Sequence, residues 1–472
     1  MSGHEGQLAK RYPPEPVTAI PTTTPAWKTS QTPTASTTSL SPSSALVNSA
    51  GVASSFTTSA PSGQFAAPSS RALVAATTSP ATTCAPSYVA PTMITGTGTF
   101  AKPSSFAKKT ARSQQITVDG QRFNIVGPNI YWLCSDENVA PLGAPPDKGR
   151  IREALAIAVA MGANTIRTLT CGISVGPGTP YNYEQTYRKF NQDAFEIRDY
   201  VLYAAREYGL RVIMTMVDQH AYYHGGVNDF INFRHASTAN NGYQFYQNRA
   251  VINAYTEYIT SFINHVNTYT GIRYGDDPTI LAWETGNELG GYINAYAWPP
   301  AAWTTQVIRV IRMYDTNHLI IDGSNGFWNY TNNASPAGLT NRAVSIMSDH
   351  GYPRNTGILN HEVGLAAQNL KGFLIGEYDW TSTQSTVTLD AYISALEAQS
   401  NYIGDMIWNV MGHDAQCCFF ISHNDGYSLY YPNGNSAPDQ ANILKVAQHW
   451  HRVRGLAVPT QLKGVVCPQP VF

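Results

Sequence analysis

Residues 280–291 read ILAWETGNELGG: an apolar run, then two glutamates four residues apart, with Asn287 beside the second and two glycines closing the stretch. An apolar run bounded by glycines predicts a buried strand over 280–288. Such a strand is a costly place for a carboxylate, because a charge taken out of water without a partner is strongly disfavoured. Side chains alternate along a strand, so Glu284 and Glu288 are expected on one face, with Glu288 at the C-terminal mouth and Glu284 deeper. Glu284 is therefore read as a buried structural acceptor, and Glu288 as the carboxylate free for chemistry.

Seven further stretches carry the same strand pattern: FNIVGPNIYW (123–132), NTIRTL (164–169), RVIMTMVD (211–218), HLIIDGSN (318–325), VSIMSDHGY (344–352), GFLIGEYDW (372–380) and GDMIWNVMG (404–412). Between them lie amphipathic segments, among them 147–162, with Ile151, Leu155, Ala158 and Val159 on one face and a glycine stop, and 195–209. Eight strands alternating with helices predict a closed (β/α)8 barrel, a TIM barrel, with long loops. A doubly wound open sheet is the alternative, but GPNIYW is not the Gly-rich phosphate loop that such a sheet carries after an early strand.

In a barrel, functional groups sit at the C-terminal strand ends. Here those ends deliver Asn129 and Tyr131, Arg167, Asp218 and His220, Asn287 and Glu288, Asn325, His350 and Tyr352, Glu377 and Asp379, and Trp408. Glu377 closes GFLIGE, the second apolar strand that ends in Gly and a carboxylate. Two carboxylates facing each other across one pocket suit glycoside hydrolysis, in which one protonates the leaving oxygen and the other attacks the anomeric carbon or activates water. Arg167 and Tyr352 can hold a carboxylate ionised, which makes Glu377 the expected nucleophile. Glu288, beside an apolar wall and a second carboxylate, is expected to have a raised pKa and to serve as the acid. Asn287 is suited to donate to a sugar 2-hydroxyl, and Trp408 to stack on a sugar ring.

These residues, in this order, resemble the retaining β-glycanases of glycoside hydrolase family 5 over about residues 115–455. The family's Arg matches Arg167, its Asn-Glu pair Asn287-Glu288, its His-x-Tyr His350 and Tyr352, its nucleophile Glu377, its late Trp Trp408, and its third-strand His matches His220. Asn129 and Trp132 join the substrate-binding candidates, and GPNIYWL is similar to the start of fungal and plant endo-β-1,4-mannanases. The resemblance implies hydrolysis of a β-1,4-linked polysaccharide, mannan first, with no cofactor and no metal. The chain departs from the pattern at Leu289, where the family carries Pro, and in the loop HDAQCCFFISHNDGYSLYYP (413–432). A β-glucanase or cellulase, a transglycosylase, and a non-hydrolytic carbohydrate-binding wall protein stay open as alternatives.

The 472 residues carry a formal net charge of −1, and no basic face stands out, which argues against a nucleic-acid partner. No apolar run reaches the roughly 18–20 residues of a membrane span, and MSGHEGQLAKRYPPEP lacks the apolar core of a secretory signal. Residues 17–112 are dominated by Ser, Thr, Ala and Pro, resembling the O-glycosylated stalks of secreted proteins. The domain reading is a disordered low-complexity segment over 1–113 and a catalytic barrel over 114–472, in a secreted monomer. Asn329 and Asn333 open acceptor sequons. Among six cysteines there is no CxxC pair, so a zinc site is not expected, and the adjacent Cys417 and Cys418 are expected to bond to different partners or stay partly reduced rather than close on each other. The spacing of His413, Asp414, Cys417 and His423 fits no metal-ligand pattern. Trp298, Trp303, Trp328 and Trp380 are candidates for a glycan cleft, two of the four being expected there.

Overall fold

The computed structural model describes residues 100–469, except 111–112, 140–141, 171–172, 174–180, 221, 291–297, 330–332 and 424. The low-complexity reading of residues 1–99 lies outside the described residues. Eight strands form the barrel: β1 Ile125–Pro128, β2 Thr165–Leu169, β3 Arg211–Thr215, β4 Ile280–Glu284, β5 Leu319–Asp322, β6 Ile346–Gly351, β7 Gly372–Tyr378 and β8 Tyr402–Ile407. All are buried along their length, as parallel strands covered on both faces must be. The ladder runs β1-β8-β7-β6-β5-β4-β3-β2, every pair parallel. The ring closes between β1 and β2 through the bridge pair Asn129–Arg167, with Ile130 N donating to Arg167 O at 2.9 Å and Asn164 N to Val126 O at 3.0 Å. Gly127 permits that approach, since a Cβ there would stand 1.7 Å from Thr165 O.

Helices follow seven of the strands: α1 Lys148–Ala160, α2 Phe195–Glu207, α3 Arg249–Asn264, α4 Ala301–Tyr314, α5 Thr356–Gln368, α6 Leu389–Glu397 and α7 Ala437–Val453. After β5 the described chain makes only the 3₁₀ turn Ala337–Leu339. Side chains at the starts mark several of them: Asp147 accepts from Gly149 N ahead of α1, and Asn355 from Ile358 N ahead of α5. α5 is absent from the sequence reading. Gly357 and Gly364 weaken its helical propensity, and Glu362 occupies a buried position between Leu359 and Val363 that should read as apolar.

The barrel interior is packed by Ile125, Ile213, Leu281, Ile321, Ile346, Leu374, Ile403 and Met406, and Ala107 and Ile116 join the same cluster. Ile116 belongs to a small antiparallel sheet of Lys108–Lys109, Ile116–Val118 and Gln121–Arg122. The folded unit therefore extends upstream of the boundary at 114 suggested by the sequence. Phe100 packs on Tyr208 with ring centroids 6.0 Å apart, Lys102 pairs with Glu207, and Arg211 donates to Ser105 O at 2.8 Å. Cys417 is disulfide-bonded to Cys467, and Cys418 and Cys134 are disulfide-bonded as well. The adjacent cysteines thus serve different partners.

Candidate active site

β4 stops at Glu284, four residues short of Glu288. Glu288 is not the next inward pleat of a strand but part of a turn, on a left-handed backbone with φ 50°. The chain reaches it by passing close under β5: a Cβ on Gly323 would stand 1.7 Å from Gly286 O, so glycine is required there. Asp218 and Asn287 then bridge the exits of β3 and β4. This corrects the expected register, yet delivers Glu288 to the same mouth.

Two imidazoles hold the Glu288 carboxyl: His350 Nδ1 lies 2.8 Å from Oε1 and His220 Nε2 2.9 Å from Oε2. Glu377, in β7, receives Arg167 Nη1 at 2.7 Å and the Tyr352 hydroxyl at 3.4 Å. His350 Nδ1 also lies 3.5 Å from Glu377 Oε2, and oxygens of the two carboxyls and the His350 nitrogen lie within 4.8 Å of one another. Glu284 accepts from Arg167 Nε at 2.7 Å and from the Thr215 hydroxyl, as a buried structural acceptor should. Arg167 also donates to Asn129 Oδ1 and Asn287 Oδ1, both at 2.8 Å. Asn287 Nδ2 donates to Asp218, which is bound to His224.

Burial and neighbouring charges act on both carboxyls of the pair. Burial pushes Glu288 up, but hydrogen bonds and charge from His220 and His350 outweigh it and hold its carboxyl well below the usual range. Burial, together with the charge of Glu288, pushes Glu377 up against the opposing pull of His350 and Arg167. For His220, burial works against the proton, but Asp218 and Glu288 outweigh it and lift the pKa to about 9. The His350 pKa is also raised: Glu377 and Glu288 overcome burial. Two imidazoles with raised pKa values thus flank Glu288.

Asn129 belongs to the framework rather than the open site. It is buried, its Nδ2 donates to Gly376 O at 2.8 Å, and its Oδ1 is taken by Arg167. Trp132 is a correction: it is fully buried, with its indole N–H on Val410 O and the Arg150 guanidinium 3.8 Å from its ring centroid, so no face is left for a sugar. Tyr131, on the other side of the backbone, stacks on Trp408 with centroids 5.2 Å apart. Trp408 is half-buried, and its peptide bond to Asn409 is cis.

Among the other sequence candidates, Asp379 caps its own loop, accepting from Thr381 N and Oγ1 at 2.7 Å. Trp303 and Trp380 are core, whereas Trp298 and Trp328 keep exposed surface on the loops after β4 and β5. His413 pairs with Glu153, and Asp414 accepts from Cys418 N. Glu153, His413 and Cys467 cluster closely enough for a metal, but the Cys467 sulfur is committed to its disulfide. Sequence reasoning missed Glu137, Asp425 and Tyr427, which reach the site on loops with no strand pattern to place them.

The family model described as GH family 5 beta-mannosidase-like matches residues 104–390. Mannan endo-1,4-beta-mannosidase 1 of Oryza sativa subsp. japonica is 28% identical over 260 residues, covering 54% of this chain and 55% of the relative. Mannan endo-1,4-beta-mannosidase 7 of Arabidopsis thaliana is 28% identical over 236 residues, 49% of this chain and 52% of the relative. The chain thus spans about half the length of these curated relatives. The structure of an endo-1,4-beta-mannanase from Rhizomucor miehei superposes with a TM-score of 0.61 at 20% identity, over 74% of this chain and 100% of that one, which shows the shared barrel. With more than half its length matched by that model, the chain belongs to the β-mannosidase-like group of glycoside hydrolase family 5.

Proposed function

We propose that the chain is a retaining endo-glycosidase that hydrolyses β-1,4-linked polysaccharide, with mannan as substrate. The observation that carries this is the approach of Glu288 and Glu377 oxygens to within 4.8 Å. Retaining pairs stand about 5–5.5 Å apart, leaving no room for the water that an inverting enzyme places between sugar and base. The names of the similar rice and Arabidopsis proteins favour mannan over β-glucan.

The neighbours of each carboxyl separate the roles. A nucleophile must be held in place, and Glu377 has a fixed cation, Arg167, whose charge opposes the upward push of burial, and a phenol. An acid/base must give up a proton in one step and regain it from water in the next. Glu288 is bound by two imidazoles that can share that proton, one of which, His220, keeps 27% of its side chain exposed. Glu377 attacks the anomeric carbon as the glycosidic C–O bond breaks, and the leaving oxygen takes the proton that Glu288 shares with its imidazoles. Glu288 then removes a proton from water, which adds to the anomeric carbon and releases Glu377. Asn287 offers its remaining amide hydrogen to the 2-hydroxyl.

Two features support a secreted protein: disulfide use, and an exposed Asn333 in its sequon while Asn329 is buried. Assays of reducing-sugar release from mannan, glucomannan and cellulose test the function. Release from mannan that is lost in Glu377→Ala is expected. Turnover of cellulose with mannan untouched would give the site to a β-glucanase.

A further inference from the structure

The loop 413–432, which departs from the family pattern, bears on the sugar platform. Asp425 Oδ2 accepts from the Trp408 indole N–H at 2.6 Å and from Asn409 Nδ2 at 3.0 Å, while its other oxygen accepts from Tyr427 N and Ser428 Oγ. His423 stands between two carboxylates: Nδ1 is 2.8 Å from Glu137 Oε1 and Nε2 is 3.3 Å from Asp425 Oδ2. Glu137, on the loop after β1, also accepts from Tyr131 at 2.6 Å and from Tyr222, on the loop after β3. Three loops are thus tied together around the Tyr131–Trp408 stack. Tyr427 of the same loop packs on Tyr352, with centroids 5.0 Å apart, and Tyr352 touches Glu377. The platform therefore stands on the side of Glu377. With Glu288 protonating the leaving group on the opposite side, the sugar it carries is on the glycon side of the bond cut.

We propose that Glu137, His423 and Asp425 form a positioning clasp that fixes the Trp408 indole against Tyr131 and so sets how firmly the glycon sugar is held, an inference resting on the glycosidase reading for its sugar. Both ring nitrogens of His423 face carboxylates, so the clasp is complete only when both carry hydrogen. Burial opposes that charge, but Asp425 and Glu137 outweigh it and raise the His423 pKa to about 9. The titratable groups facing His423 are Glu137 and Tyr131 from the β1 loop and Asp425 and Tyr430 from its own loop, with Tyr222 joined through Glu137. Burial pushes the Tyr131 and Tyr222 phenols up, out of the window in which His423 titrates.

The test reads the indole directly. In protein labelled with ¹⁵N-tryptophan, the Trp408 indole resonance is identified by its loss in Trp408→Phe. In the wild type it is expected to move between about pH 7 and about pH 10, on either side of the imidazole transition. In His423→Gln that movement disappears. The same variant, and independently Asp425→Asn, should raise KM for mannohexaose about fivefold to tenfold, with the larger part of the effect on KM rather than kcat. An indole resonance that stays fixed in the wild type, or moves equally in His423→Gln, overturns the clasp, as does an unaltered KM in both variants. The resonance is read without sugar. Absence of glycosidase activity therefore counts against the function alone and leaves the clasp to the indole shift.

Discussion

Arg167 donates from Nη1 to Oε1 of Glu377 at 2.7 Å, tying that carboxylate to the wall of the barrel. The same guanidinium reaches Glu284 through Nε and Asn287 through Nη2, so one side chain couples the exits of β2, β4 and β7. A group engaged on so many sides passes on any loss among its partners.

Glu284→Gln should therefore cost both stability and turnover. Breaking a buried ion pair by removing one partner costs about 3–5 kcal/mol, and Arg167, released on one side, no longer fixes Glu377. Urea unfolding and kcat measured on the same preparation check this. Unaltered stability would remove Glu284 from the framework.

The two catalytic candidates should fail differently. Glu288→Ala should still form a glycosyl-enzyme from a mannoside whose leaving group needs no proton, then hydrolyse it slowly, with azide restoring turnover as a β-glycosyl azide. Glu377→Ala should form no covalent intermediate, detectable by intact-protein mass spectrometry. In the wild type, NMR of the first product from a β-linked substrate should show the β-anomer. An initial α-anomer would reverse the retaining assignment.

The alkaline limb of kcat/KM should fall near pH 9. His220 has its pKa raised to about 9, so below that value the Glu288–His220 pair holds the proton that the leaving oxygen takes, and as pH rises through it that proton is lost. Stability follows the same sign. The contribution of protonated His220 is complete below its ordinary value of about 6.5 and fades as pH rises through about 9. His220→Gln should lower kcat and flatten this limb. A limb unmoved in the variant assigns the titration to another group.

Shortening the chain to begin at residue 114 should weaken the fold relative to a chain that begins at residue 100. The shorter chain loses Phe100 on Tyr208 and Ala107 in the interior cluster, together worth about 1–3 kcal/mol. Equal melting temperatures for the two would show that this packing contributes nothing.

Much of this was legible because barrel strands are apolar runs with polar ends. All eight were placed, and Arg167, His220, Asn287, Glu288, His350, Tyr352, Glu377 and Trp408 meet at one mouth. What escaped had no periodic signal. The left-handed turn at Glu288 follows from the close passage of Gly286 and Gly323, a contact between distant segments. The charge order of Glu288 and Glu377 depends on which imidazoles arrive beside each, and those come from β6 and the β3 loop. Trp132 and Tyr131 lie in the turn past the end of β1, where strand alternation no longer tells which ring meets the site.

The closure between β1 and β2 is a thin part of the ring: among the described residues it rests on the Asn129–Arg167 bridge and a few neighbouring hydrogen bonds rather than a named ladder. A ring with a weak seam has a place to open, and here that place holds the arginine that fixes Glu377. Partial openings cost less than global unfolding, so mild heating should part this seam while most helices and strands persist. Inactivation would then run ahead of melting: the enzyme goes silent before its circular dichroism changes, and recovers at once on cooling.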